Sequence, residues 1–313
     1  MKRIPRKVFV SGSSYIVSLP KEWVVRNSID AGDTIYMNVG SNVITISPIT
    51  EMRKKREVTI VGEKSPDMIT KEIISYYLAG YTTIRIKTDG KNRNGIDSAV
   101  KILIGAEILE DLGEEVLIEI FIDEERFNVI DLLEKMVNTV YSMMDDFRLC
   151  LNEFEPKRLE VIEQREQEVD RLYFFILRLL KSAIEFTDVA ERLGLYPRMI
   201  LGCRIVLKSV ERVADHLFVM GENLKSFRRS VPEIYEYSGM SFSTFRTAMN
   251  SFFKLDIEMI RDVFGMMESI KPPELNEKYS LSDILYLRKI LDGIDRIFGY
   301  SEDIAEIALN LSI

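Results

Sequence analysis

At 313 residues, with 46% hydrophobic and 29% charged side chains, the chain has the apolar content of a folded protein and the length of two or three domains. Its two cysteines, Cys150 and Cys203, exclude a disulfide scaffold and read as reduced, buried thiols of a cytoplasmic protein. With one histidine, His216, they are too few and too scattered for a Cys/His zinc site, and histidine acid–base catalysis has little to work with.

The opening Met-Lys-Arg-Ile-Pro-Arg-Lys is polar, so no signal peptide is expected. No apolar stretch is long enough to span a bilayer, so membrane insertion is not expected either. The net charge of −8 would argue against nucleic acid, but it is unevenly spread. Residues 1–56 hold ten Lys and Arg against four Asp and Glu, a charge of +6, which leaves −14 on the remainder. That asymmetry suggests a basic N-terminal module on an acidic body.

Within that module, residues 7–19 alternate apolar and polar around Ser-Gly-Ser-Ser, a hairpin signal. Pro20 opens a short helix ending near Arg26. Thr34–Val39 and Asn42–Ser47 are expected to pair across Gly40-Ser41 as a second hairpin. Four short strands cannot enclose a core alone, so a homodimer sharing one core is expected. The matching residues are Arg6-Lys7-Val8, the run Ser14 to Trp23 (Ser-Tyr-Ile-Val-Ser-Leu-Pro-Lys-Glu-Trp) and Gly32-Asp33. By these, residues 1–51 resemble the AbrB/MazE/SpoVT family of swapped-hairpin DNA-binding domains. The resemblance implies an N-terminal β barrel interleaved from two chains, with Trp23 in its core. It also implies DNA contacts by Arg3, Arg6, Lys7, Lys21 and Arg26, which would bind phosphates and add affinity independent of base sequence.

Met52–Arg56 reads as a charged linker. Residues 57–124 then predict a small α/β module of order β-α-β-α-β. Its elements are a strand at Glu57–Gly62, a helix at Ser65–Gly80, a strand at Thr82–Thr88, a helix at Gly95–Leu112 and a strand at Glu114–Ile122. The turn from Gly62 to Pro66 lacks the spacing of a P-loop. No ligand of the module is indicated.

From residue 127 to the end the pattern is helical, so the chain as a whole is multidomain and mainly α. Three apolar seams at helical spacing predict helices at Asn128–Leu151, Pro156–Phe186 and Pro197–Phe227. Two more are expected at Ser241–Ser269 and Leu281–Ser312, giving an antiparallel bundle of three helices and then two. Cys150 and Cys203 fall on seams and read as core.

Two helices carry a carboxylate pair at i, i+4, each residue one position past the seam: Glu166 with Asp170, and Glu211 with Asp215. Such spacing puts both groups on one helix face, and two such faces could offer oxygen ligands to a hard cation or iron. A solvated acidic flank is the alternative. His216 projects about 100° away from Asp215 and reads as a helix-contact residue rather than a ligand. A di-iron carboxylate enzyme would need a Glu-x-x-His pair on each of two helices, and one histidine cannot supply them.

The run Glu211-Arg-Val-Ala-Asp-His, followed by Gly221-Glu222, resembles the Glu-Arg-Ile-Gly-Asp-His…Ala-Glu signature of the PhoU family of phosphate-signalling regulators, and Glu166 to Asp170 fits its other acidic motif. That resemblance implies an all-helical body and a multinuclear metal cluster (iron, zinc or magnesium) held by Glu166, Asp170, Glu211 and Asp215; with a single histidine, no enzymatic activity is expected. The second repeat departs from the pattern. Asp295 stands at the Glu211 position, Gly299 replaces the second carboxylate, and the middle helix is expected to be missing, with Asp256 and Glu258 placed on the repeat's first helix. The combined expectation is a phosphate-responsive transcriptional regulator: a DNA-binding homodimer with a metal-binding sensor body. The alternative is an interaction module that restrains a phosphate transporter or sensor kinase, with the N-terminal barrel only dimerising.

Overall fold

The structure, a computed structural model, describes residues 4–39, 44–48, 56–61, 64–88, 90–268, 270–275 and 279–313. Arg3, the Gly40-Ser41 turn, linker residues 52–55, Gly62 of the central turn and Ser269 lie outside the described residues. The chain divides into two compact units, Met1–Lys55 and Arg56–Ile313.

In the first unit, β1 (Val8–Ser11) pairs antiparallel with β2 (Ser14–Val17), and β3 (Ile35–Val39) with β4 (Ile44–Pro48). Helix α1 (Lys21–Arg26) follows Pro20. Both hairpins stand where the alternation places them. They form two separate two-stranded sheets rather than a barrel closed within one chain. No described residue of this unit is buried in a single chain, and Trp23, expected in a core, is only half-buried. Val10, Tyr15 and Val39 are each more than two-thirds exposed. A sheet layer needs a second apolar layer against it, and one copy of this unit does not provide one.

The second unit begins with a four-stranded sheet of order β5-β6-β8-β7. Its elements are β5 (Glu57–Ile60), α2 (Pro66–Leu78), β6 (Thr83–Lys87), α3 (Arg93–Ile102), β7 (Ala106–Asp111) and β8 (Glu115–Ile120). Strand β5 runs parallel to β6, and β8 is antiparallel to both β6 and β7. Ile84, Ile86, Val116, Ile118 and Ile120 alternate onto one face, where Ile69, Ile73 and Tyr77 of α2 and Ile96 and Ala99 of α3 cover them. The expected β-α-β-α-β order is corrected to β-α-β-α-β-β. The helix expected over Gly95–Leu112 stops at Ile102, and residues 106–111 are a strand. Ala, Glu and Leu in that segment favour helix locally, but pairing with β8 supplies hydrogen bonds and burial that override the propensity.

Helix α3 crosses α2 at Gly95, where a Cβ would stand 2.1 Å from the carbonyl oxygen of Pro66. Thr70 also donates a hydrogen bond to the Gly95 carbonyl, 2.9 Å. We expect Gly95→Ala to force these backbones apart and to destabilise the unit by about 1–3 kcal/mol, read as a lower urea midpoint. An unchanged midpoint would mean the two helices are not in this contact.

The remainder is helical: α4 (Val129–Asn152), α5 (Pro156–Glu185), a short α6 (Thr187–Arg192), α7 (Pro197–Phe227), α8 (Pro232–Lys254), α9 (Ile257–Glu268) and α10 (Leu281–Ser312). Seam residues from Val129 through Cys150 on α4, Ile162 through Ala183 on α5 and Ile200 through Leu224 on α7 are buried in one core, both cysteines included. The second half differs from expectation. A single helix over Ser241–Ser269 is corrected to two, because α8 starts earlier, at Pro232, and ends at Leu255, which adopts a left-handed conformation with φ of 51°. Asp256 then starts α9: its Oδ1 accepts from the backbone N–H groups of Glu258 (2.8 Å) and Met259 (3.2 Å). The middle helix of the second repeat is therefore present, as the short α9, and Asp256 serves as its cap. Among the described residues, with the six-residue α6 set aside, the helices group as α4, α5, α7 and then α8, α9, α10, so the count of three and two becomes three and three. No helix among the described residues is long and apolar enough to cross a membrane.

The sheet module is tied to the bundle through Arg178 on α5, which is 3% exposed. Its Nε donates to Glu124 Oε1 at 2.8 Å, and its Nη1 donates to the carbonyls of Tyr77 and Tyr81. The guanidinium also lies 4.8 Å from the centroid of the Tyr77 ring. Sequence patterning gave no sign of this lock, because its four residues are separated by up to 101 positions.

Candidate metal centre

The carboxylates flanking the α5 and α7 seams meet because α5 packs against α7. Asp170, Glu211 and Asp215 each follow a buried residue (Val169, Val210 and Ala214) and Glu166 follows the half-buried Arg165, which turns these acids toward the helix–helix contact rather than to open solvent. Ligand oxygens of Glu166, Asp170 and Asp215 all lie within 4.8 Å of one another, and all three side chains are half-buried. Among the described residues these are the only three such groups to converge in this way.

The electrostatics record the crowding. Burial, then the neighbouring charges of Asp170 and Asp215, pushes the Glu166 carboxyl up to about 7. Burial, followed by the charges of Asp215 and Glu211, raises Asp170 to about 6. Asp215 is also raised, by burial and then by Glu211. Like charges held this close favour protonation or a counter-ion. An all-oxygen set of carboxylates suits a hard cation or iron, so the donor chemistry fits a metal.

Glu211, the fourth expected ligand, is placed differently. It is buried, and Lys208 on the preceding turn donates to both its oxygens at 2.5 Å, with Arg212 3.9 Å away. Three of the four expected residues thus converge, while Glu211 stands beside them with its charge answered by Lys208. Sequence reasoning passed over Lys208, although its i, i+3 spacing from Glu211 is visible. His216 lies outside the carboxylate group. Its ring packs 5.8 Å from that of Tyr300 on α10, and burial, then Arg296 and Arg212, lowers its pKa.

On α10, Asp295 accepts a short hydrogen bond from the Tyr237 hydroxyl, and a side chain at Gly299 would meet open space. No second group of three converging carboxylates occurs there among the described residues.

In the first unit, Arg6, Lys7, Lys21 and Arg26 are all exposed. The pairing of Val8 with Val17 brings Arg6 and Lys7 to the end of the hairpin from which α1 departs. There the Arg6 Nε donates to the Ser18 carbonyl at 3.2 Å, three residues before Lys21. Arg26 is at the other end of α1, roughly 7 Å along the axis.

With this geometry established, comparison with known proteins adds two domain matches. Residues 133–224 match the PhoU domain, and residues 8–54 match the family described as antidote-toxin recognition MazE, bacterial antitoxin. Among solved structures, PhoU from Pseudomonas aeruginosa is similar at 15% identity, covering 58% of this chain and 94% of that one, with a TM-score of 0.48. The phosphate transport system regulatory protein PhoU from Streptococcus pneumoniae gives the same identity and coverages with a TM-score of 0.44. No curated protein matches the chain.

Proposed function

From a chain that carries a PhoU domain behind a MazE-type N-terminal domain, we propose a phosphate-responsive transcriptional regulator that acts as a DNA-binding homodimer. The observation that carries this reading is the joining of these two domain types in one chain. It is supported by a basic N-terminal unit in which no described residue is buried. Such a unit gains a core by pairing with a second copy, and pairing sets two clusters of Arg6, Lys7 and Lys21 on one assembly, a footprint for the phosphates of a duplex.

The helical body would act as the sensor. Glu166, Asp170 and Asp215 would hold a metal ion, with Glu211 next to it, and the metal's charge would relieve the repulsion among the carboxylates. Holding α5 to α7 in this way stiffens the part of the body that also carries Arg178 and the sheet module. A phosphate transporter or sensor kinase is the partner class that would report to it.

The test is a gel shift on the full chain at several salt concentrations. Binding should weaken steeply with salt, and Arg6→Ala with Lys7→Ala in a dimer should reduce the slope of log K against log salt by roughly 2–4, at about 0.9 per phosphate contact. Absence of salt-dependent binding to any duplex, together with capture of a transporter ATPase that survives deletion of residues 1–50, would replace this reading with that of an interaction module.

A further inference from the structure

Arg148, near the end of α4, is a cation without an anion. Its Nε is buried and makes no hydrogen bond, and no carboxylate among the described residues lies within ion-pair distance of it. The adjacent acids are already engaged: Asp145 binds Arg246 at 2.7 Å, and Asp146 binds Arg158 at 2.9 Å and Arg165. The guanidinium is instead held in place by its surroundings. It stacks 4.1 Å from the centroid of the Tyr235 ring on α8. Gly239, one turn on, leaves the space for it, since a Cβ there would stand 2.8 Å from Nη2 and 3.1 Å from Cζ. A partly desolvated guanidinium without an acceptor is unfavourable, and a native structure that keeps one calls for an explanation.

The guanidinium opens onto a cleft of about 350 Å³, too large for a single water and suited to a small molecule. Glu236 and Ser243 line it beside Arg148, and Met240 and Met266 supply an apolar, adaptable wall. The Thr244 hydroxyl is spent on the Met240 carbonyl at 2.9 Å, whereas that of Ser243 makes no hydrogen bond among the described residues. Glu236 is exposed and does not pair with Arg148, so the cleft holds opposite charges with room between them. We infer that this cleft binds a small molecule through an oxyanion group, phosphoryl or carboxylate, received by the fork of Arg148, with the rest of the molecule on the methionine wall. Arginine suits this role because its donors match two oxygens at once. The cleft is lined by residues of α4, α8 and α9, none of which supplies the converging carboxylates of α5 and α7, so the two sites are separate.

The probes are phenyl phosphate and benzoate, titrated calorimetrically into the full chain after chelation, so that no metal at the carboxylates contributes. Binding of either at up to roughly 10 mM is expected, and which of the two binds identifies the oxyanion. Arg148→Gln should weaken that binding about tenfold or more, as expected for a lost charged hydrogen bond. Glu236→Gln, at an exposed position, should tighten phenyl phosphate about threefold by removing a nearby like charge. Lack of binding by both probes would overturn the site, as would equal affinity in a folded Arg148→Gln. Should Arg148→Gln fail to fold, the Glu236→Gln arm decides, and unchanged or weaker affinity there overturns the inference.

Discussion

Arg178→Ala should lower the stability of the 56–313 unit by about 3–5 kcal/mol, a fall in Tm of roughly 10 °C, with both helix and sheet signals affected. The size follows from what remains behind. Glu124, 5% exposed, would lose the guanidinium beside it, and the carbonyls of Tyr77 and Tyr81 would each lose a donor. Removing one partner of a buried pair strands the other, whereas removing both with apolar replacements need not. Arg178→Met combined with Glu124→Leu should therefore recover the share of the lost Tm that comes from Glu124, while the Tyr77 and Tyr81 carbonyls still lack this donor and keep the variant below the unaltered chain. A fall of under 2 °C in the single variant, measured by differential scanning calorimetry, would show that the sheet module does not depend on this contact.

The metal-dependent prediction is the second large one, and its sign is set by the raised carboxyls. Glu166 in the folded chain titrates near 7 and Asp170 near 6, both above their ordinary values. The folded state therefore holds protons that the unfolded state has already released, so these groups favour folding below about pH 4, and that contribution is lost as the pH rises toward 7. In chelator, Glu166→Gln with Asp170→Asn should gain Tm relative to the unaltered chain between pH 5 and pH 7.5. At pH 7.5, saturating Mn²⁺ should do the reverse. At a hundredfold excess over Kd it adds about 2.7 kcal/mol, or roughly 5–10 °C, to the unaltered chain and nothing to the variant. Elemental analysis gives a second readout, since Asp170→Asn with Asp215→Asn should purify without metal. Because Glu211 is already answered by Lys208, Glu211→Gln should reduce metal content less. A Tm indifferent to metal in the unaltered chain would leave the acidic group as a repulsive flank.

Much of the molecule is legible in the amino-acid sequence alone. The helices of the first repeat could be read because their seams recur at helical spacing over long runs, and all their seam positions from Val129 to Cys150 are buried. The two N-terminal hairpins were legible from alternation and turn residues. Where the reading failed, a longer-range interaction had prevailed over a local signal. Residues 106–111 look helical by composition and become a strand through β8. The break at Leu255 carries no Gly or Pro, and the one local sign of it is the cap-type residue Asp256 that follows. The carboxylate pairs were found by spacing, but spacing reports only one helix at a time.

That difference separates what each level decided. The amino-acid sequence by itself determined the basic head and acidic body, the apolar seams and the i, i+4 acids, because charge and periodicity are properties of neighbouring residues. Only the tertiary structure decided that Glu166, Asp170 and Asp215 converge while Glu211 turns to Lys208. It also decided that Arg178 is locked to the sheet module and that Arg148 is left facing a cleft. These outcomes depend on which helix packs against which and at what rotation, and the packing of distant side chains sets both.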